Sequence, residues 1–450
     1  MSRLRRLRLF AAALLLAALA RAEEPEAILV VMGDQHSAYE RTAQFVGLVD
    51  QLRAKHPGVP LAVLLDGDTQ EHGNVIARRS HGAIDFEMFR ALARLAPTYL
   101  NLGNHDPEFF DVVETVQRVR ATGVVPISNL RERGTGKYFT EPAATLKLGA
   151  REFALVGVTT DLLSTYRVAV RPGLDLADPV AWGRENLAAL AQGRPLILLS
   201  HAGLEADREL LKLVPDGTLF AGAHDHLRFT HEQGRTLYFH SGSWNSHVSL
   251  VRLVRGADGA LQWKIKQLAL TENCPADTTL TDFIAKVRAE HGQPEDFATV
   301  GRLPAALAPA DAARFVCEAA RRAAGVDAVF IGNTTFGTGL PAGDVSRLAF
   351  DACVRFDGTI FTAEIDGVRL RELLARANQD TDTPFAERKG DFLVAAGPSG
   401  AAPDRRYRIA TTDWGAKNSA RYFGREPIAW KERSDLKLKA AALAALAAKE

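Results

Sequence analysis

The stretch Leu100-Asn101-Leu102-Gly103-Asn104-His105-Asp106 sets an amide beside an imidazole at the end of an apolar run. Four other segments share that layout: Val30-Val31-Met32-Gly33-Asp34-Gln35-His36, Leu64-Leu65-Asp66-Gly67-Asp68, Leu198-Leu199-Ser200-His201 and Phe220-Ala221-Gly222-Ala223-His224-Asp225-His226. An open α/β sheet presents its ligands in the crevice beyond the carboxyl ends of its strands. The runs therefore predict five strands whose ends meet at one site. A single His beside a strand end is more often a hydrogen-bonded structural residue than a ligand. The ordered recurrence of Asp, Asn and His at all five ends is what points to metal.

The residue types fix the chemistry expected there. Asp34 and His36, leaving a strand at i and i+2, face one ion, and His226 returns to it. Asn104, His201 and His224 supply a second, and Asp68 bridges the two through its carboxylate oxygens. This mixed N/O set suits two divalent metal ions such as Mn, Zn or Fe and is wrong for a thiolate site. Such a pair clamps a tetrahedral oxyanion and acidifies the water between the ions, so the expected reaction is hydrolysis. His105 and Asp106 are the catalytic candidates. A protonated His105 stabilises the transition state and protonates the leaving oxygen, and either Asp106 or Glu108 can hold its ring.

The chain has 450 residues, enough for two cores. Hydrophobic residues at 47% and charged residues at 24% are globular values. A formal net charge of +1, with no Lys/Arg-rich run after residue 10, argues against a nucleic-acid partner. Residues 1–22 read as a signal peptide: Arg3, Arg5, Arg6 and Arg8, an apolar run, then Ala20-Arg21-Ala22 as a small-x-small cleavage site. That run is short for a bilayer span of ~20 residues, so a periplasmic or secreted protein with no stable membrane insertion after cleavage is expected. Arg5-Arg6 also allows the twin-arginine route. Only Cys274, Cys317 and Cys353 occur, so there is no disulfide framework. Cys317 and Cys353 sit in apolar patterns as core residues, and Cys274 lies in a polar linker.

The fold class expected is α/β. Residues 27–32 are almost wholly apolar, as in a strand covered on both faces, and residues 40–56 carry apolar positions at helical spacing before Pro57-Gly58. Strand and helix signals alternate to residue 199. The short alternating runs at 218–221, 236–240, 248–254 and 261–270 then predict that the sheet ends in antiparallel strands. Residues 23–270 form the first domain and the polar stretch 271–279 a linker. Residues 280–450 form a second, smaller α/β domain, with helices over 282–291, 309–324, 344–354 and 368–378 and a helical tail.

The motifs Asp-x-His, Gly-Asp, Gly-Asn-His-Asp, His and His-x-His resemble those of the calcineurin-like metallophosphoesterases over residues 27–270. That resemblance implies an α/β/β/α sandwich. Ala223 stands where the family has glycine before the last His-x-His. In the second domain, Asp327 to Asn333, Gly339-Leu340-Pro341-Ala342-Gly343-Asp344 and Arg355-Phe356-Asp357-Gly358 look like the C-terminal domain of the 5'-nucleotidases. The resemblance implies a nucleoside held between two aromatic rings and a domain rotation that delivers phosphate to the metals. Phe356 falls near the first stacking position, and Phe336 and Tyr422 are further substrate-facing candidates.

After Asn333 the family has a glycine-rich turn ending in arginine; here the residues are Thr334-Thr335-Phe336-Gly337-Thr338. Thr and Gly do not replace a guanidinium for bidentate phosphate recognition. The expected activity is hydrolysis of a small-molecule phosphate or oxyanion ester. A thiol sulfate hydrolase and a cyclic phosphodiesterase are rivals within the class, and a non-catalytic periplasmic binding protein is the rival outside it.

Overall fold

Continuous apolar strands need cover on both faces, and the first domain provides it with two stacked six-stranded sheets. The computed structural model describes residues 25–448, so the signal peptide expected at residues 1–22 lies outside the described residues. One sheet runs in the order Leu261–Ala269, His247–Arg255, Ala27–Gly33, Leu61–Asp66, Thr98–Asn101, Val125–Ile127. The other runs Arg228–Gln233, Thr236–Ser241, Leu219–Gly222, Leu196–His201, Arg151–Thr159, Ala143–Leu148.

Alternation along Ala27–Gly33 explains its composition. Leu29 and Val31 point between the sheets, where they meet Leu155, Leu199 and Phe239. Ile28, Val30 and Met32 face outward onto Phe45, Val46, Val49 and Phe89 of the flanking helices. The second sheet is covered likewise by Trp182, Leu187 and Leu210. The architecture is α/β/β/α.

The antiparallel expectation for the last strands holds for His247–Arg255, which pairs antiparallel with both Ala27–Gly33 and Leu261–Ala269. It fails for Leu219–Gly222, which runs parallel to Leu196–His201 and to Thr236–Ser241. The crossover from Leu196–His201 runs through the helix Leu204–Leu210, whose 7 residues are too few for a reading of periodicity to find. In register, Gly33, Asp66 and Asn101 are neighbours in one sheet, and Thr159, His201, Gly222 and His240 neighbour each other or Ser200 in the other. The metal-capable loops therefore leave both sheets at one edge.

The second domain is built on a mostly antiparallel five-stranded sheet ordered Leu393–Ala396, Ala328–Gly332, Arg406–Thr412, Thr359–Asp366, Lys431–Lys437. Val316, Cys317 and Ala320 of the helix Pro309–Ala324 pack on one face beside Leu438 and Ala442. Leu370, Leu373 and Phe423 cover the other. Two expectations change here. Residues 344–354 divide into the strand Gly343–Ser346 and the helix Arg347–Cys353, because the Ser346 hydroxyl accepts from Ala349 N and starts the helix there. The helix Thr278–His291, read as the opening of the second domain, puts Leu280, Ile284 and Val287 into the first core. No helix among the described residues is long and apolar enough to cross a membrane.

Candidate metal centre and active site

The loops leaving the two sheets carry unusual backbone. Asp34, His36, Asp68, His224 and His226 all adopt positive φ, between 50° and 79°. Non-glycine residues rarely occupy this region, and those that do cluster where function requires it. Two glycines let the loops close. A Cβ on Gly103 would fall 2.3 Å from Asp68 Oδ1, and one on Gly67, at φ +74°, would fall 2.4 Å from His201 Nδ1.

All seven candidate ligands come together. Asp34, His36 and His226 offer ligand atoms within 4.8 Å of one another, and so do Asp68, His201 and His224. Asp34 ties the groups: its carboxylate accepts from His224 N at 3.0 and 3.1 Å, and Oδ1 lies 3.9 Å from Nε2 of both His36 and His201. The seventh, Asn104, lines the same cavity; its side-chain nitrogen donates to Thr165 O at 3.3 Å.

The donor set fits divalent metal. Several buried atoms of the cluster, among them Asn104 Oδ1, His224 Nδ1 and His226 Nδ1, have no hydrogen-bond partner, a rare state unless an ion or water satisfies them. Burial pushes His36, His224 and His226 well below the usual imidazole range, leaving neutral rings, and Nε2 of His36 and Nε2 of His226 lie 2.9 Å apart. His201 behaves oppositely. Burial opposes its charge, but Asp68, Asp34 and Asp66 raise it to about 10, so this corner of the cluster draws positive charge. His201 Nδ1 donates to Asp66 O at 2.8 Å, which turns Nε2 toward Asp68 Oδ2, 3.0 Å away.

His105 lines the cavity, and the structure decides which acid holds it. Glu108 Oε1 lies 2.6 Å from Nδ1, leaving Nε2 for the cavity. Burial disfavours the imidazolium, but Asp68 and Glu108 outweigh it and bring His105 up to about 9. Asp106 has a different place. Its carboxylate accepts from Gly103 N at 2.7 Å, Asp68 N at 3.1 Å and Thr69 N at 3.0 Å, and also from the Thr69 hydroxyl. It is fully buried and stitches two loops together beneath the cavity.

The cavity, about 360 Å³, lies between the domains. The second domain presents Phe356 and Trp414 to it, 45% and 43% exposed, together with Arg421 and Thr335. Of the aromatic candidates only Phe356 is placed to face substrate. Phe336 is buried in the second core. The hydroxyl of buried Tyr422 is held by Asp391 and by Trp414 Nε1. Trp414 takes the wall position from the first turn of the short helix Asp413–Lys417, which Thr412 caps.

Sequence reasoning passed over three further residues. Glu71 is 3% exposed and lies against both His36 and His105; an acid in a segment read as a polar connection gives no signal of burial. Trp244 stacks at a tilt on His36, ring centroids 4.2 Å apart. Arg355 reaches across from the second domain.

The family model described as Calcineurin-like phosphoesterase matches residues 28–228, and 5'-nucleotidase, C-terminal domain matches residues 265–397. The chain belongs to the 5'-nucleotidase family of metallophosphoesterases. Members of this family are metal-dependent phosphoester hydrolases that bind a dinuclear metal site. No curated protein matches in sequence. Among solved structures, a 5'-nucleotidase precursor from Thermus thermophilus superposes with a TM-score of 0.62 at 16% identity, covering 93% of this chain and 96% of that one. The sulfate thiohydrolase SoxB of Thermus thermophilus gives 0.67 at 16% identity, with 94% of each chain covered. A 5'-nucleotidase from Candida albicans gives 0.62 at 11% identity, covering 95% and 98%. At these identities the structures show a common two-domain fold.

Proposed function

We propose that this chain is an exported, dinuclear hydrolase of phosphomonoesters, with residues 1–22 as its export signal. Asp34, His36, Asp68, Asn104, His201, His224 and His226 are the residues that would hold the two divalent ions. Manganese, zinc or iron suits the N/O donor set. The observation that carries this reading is the convergence of buried, unpartnered Asn104, His224 and His226 atoms on an acidic cluster at the floor of a cavity.

When bound, the two ions supply the charge that attracts an ester oxyanion and acidifies a water for attack. His105, held by Glu108, gives its Nε2 proton to the leaving oxygen. Phe356 and Trp414 offer apolar faces to the organic group of the ester. Turnover of p-nitrophenyl phosphate that depends on divalent metal tests the reading; a folded chain without such turnover refutes it.

A second reading is favoured by one feature. Where the family carries an arginine after Asn333 this chain has Thr334 and Thr335, and both line the cavity. Arg421 is the one guanidinium lining the cavity among the described residues, and it lies 3.4 Å from Asp391. A thiol-linked sulfate, the substrate class named for the SoxB structure, needs no nucleoside contacts. A panel of AMP, sugar phosphates and a thiol sulfate separates the two, and strong preference for AMP excludes the second.

A further inference from the structure

Two side chains of the second domain that do not line the cavity reach the metal-binding loops: Asn333, whose Nδ2 donates to Asp225 O at 3.1 Å, and Arg355. Arg355 follows the helix Arg347–Cys353, and its backbone N donates to Thr335 O at 3.0 Å. Its stem crosses Gly337: a Cβ there would meet Arg355 Cγ and Cδ at 3.1 Å. The guanidinium therefore leaves the second domain beside the turn that lacks the family's arginine, but from the neighbouring segment. It is buried at the domain seam.

There Nη2 lies 3.4 Å from Glu71 Oε2 and 3.4 Å from the carbonyl oxygen of His36, and the guanidinium sits 4.6 Å above the Trp244 ring. Glu71 is the junction of the two domains. Oε1 accepts from Gly73 N at 2.8 Å, while Oε2 is 3.4 Å from His36 Nδ1 and 3.8 Å from His105 Nδ1. A buried carboxylate needs a countercharge, and the nearest guanidinium belongs to the other domain. Trp244, covered by that guanidinium, in turn packs on His36.

We propose that Arg355 is a positioning residue through which the second domain sets the first domain's catalytic centre: by way of Glu71 and Trp244 it fixes the rings of His36 and His105. It does not touch substrate. The chain is then competent only with its domains in this arrangement. This rests on the hydrolase reading above for its kinetic readout, and on domain geometry for its second.

The test uses full-length, metal-loaded protein in four forms: R355Q, R355K, E71Q and R355Q/E71Q, assayed with p-nitrophenyl phosphate. R355Q is expected to lower kcat about tenfold or more while KM moves less than about threefold, and the double variant to lie within about twofold of the worse single one, as for residues acting as one unit. R355K restores part of the loss because it keeps the charge. Small-angle scattering should show a larger radius of gyration for R355Q than for wild type, with metal content unchanged. Losses that multiply independently, a lysine no better than glutamine, or unchanged kcat in R355Q would overturn the proposal. If R355Q does not fold, E71Q decides: kcat within about twofold of wild type refutes the coupling. Wild type without metal-dependent turnover refutes the hydrolase reading instead, and an unchanged radius of gyration in R355Q then refutes the domain arrangement by itself.

Discussion

Nδ1 of His105 lies 2.6 Å from Oε1 of Glu108, while the neighbouring Asp106 turns away and binds backbone amides. Two acids within three residues of one histidine thus have separate tasks. His105→Ala should lower turnover by about 10² to 10⁴ while both metals stay bound, the range for loss of a general acid. Glu108→Gln should lower it about tenfold through a misheld ring. Steady-state kinetics with elemental analysis on the same samples checks both, and metal loss from His105→Ala would contradict the role given to it.

Asp106→Ala should act on stability and metal retention rather than on proton transfer. Its carboxylate accepts from Gly103 N, Asp68 N, Thr69 N and the Thr69 hydroxyl, and removing it strands those donors at a cost of about 2 to 4 kcal/mol. Urea unfolding measures this; a full-strength fold with impaired turnover would place Asp106 in the chemistry instead.

How far the sequence shows all this differs by region. The five strand ends were legible because apolar runs followed by Asp, Asn or His carry both the fold and the donor set, and all seven residues do meet. Asp106 was misjudged because adjacency to His105 says nothing about which way a carboxylate points. Tyr422 and Phe336 are aromatic in the expected place but buried, and only the path of the backbone reveals that Trp414 takes the wall. Glu71 and Arg355 were invisible: they are far apart in the chain, and each alone reads as a surface charge.

The cavity wall yields a specificity prediction. Trp414→Ala should raise KM for an aromatic phosphoester such as p-nitrophenyl phosphate about three- to tenfold, the worth of one ring contact, and leave glycerol phosphate unchanged. Equal effects on both substrates would show that Trp414 shapes the fold and not the pocket.

Stability should fall as pH rises across the neutral range, partly through Asp207. Burial pushes this carboxyl up to about 8, where it accepts from the Ser200 and Tyr238 hydroxyls beside His240. In the unfolded chain it ionises near the usual carboxylate value of about 4. Between those values the folded state holds the extra proton, so stability declines with pH by at most about 1.4 kcal/mol per unit from this group and levels off above pH 8. Asp207→Asn should flatten that slope relative to wild type in urea titrations at several pH values; parallel curves would contradict the assignment.

The central claim is that Asp34, His36, Asp68, Asn104, His201, His224 and His226 hold two divalent ions on which hydrolysis depends. Elemental analysis of purified, active protein, repeated after chelation and after metal is restored, measures it directly. Two divalent ions per chain, with p-nitrophenyl phosphate turnover lost on their removal and regained on their return, is the expected result. Full turnover in protein carrying no divalent metal would contradict it.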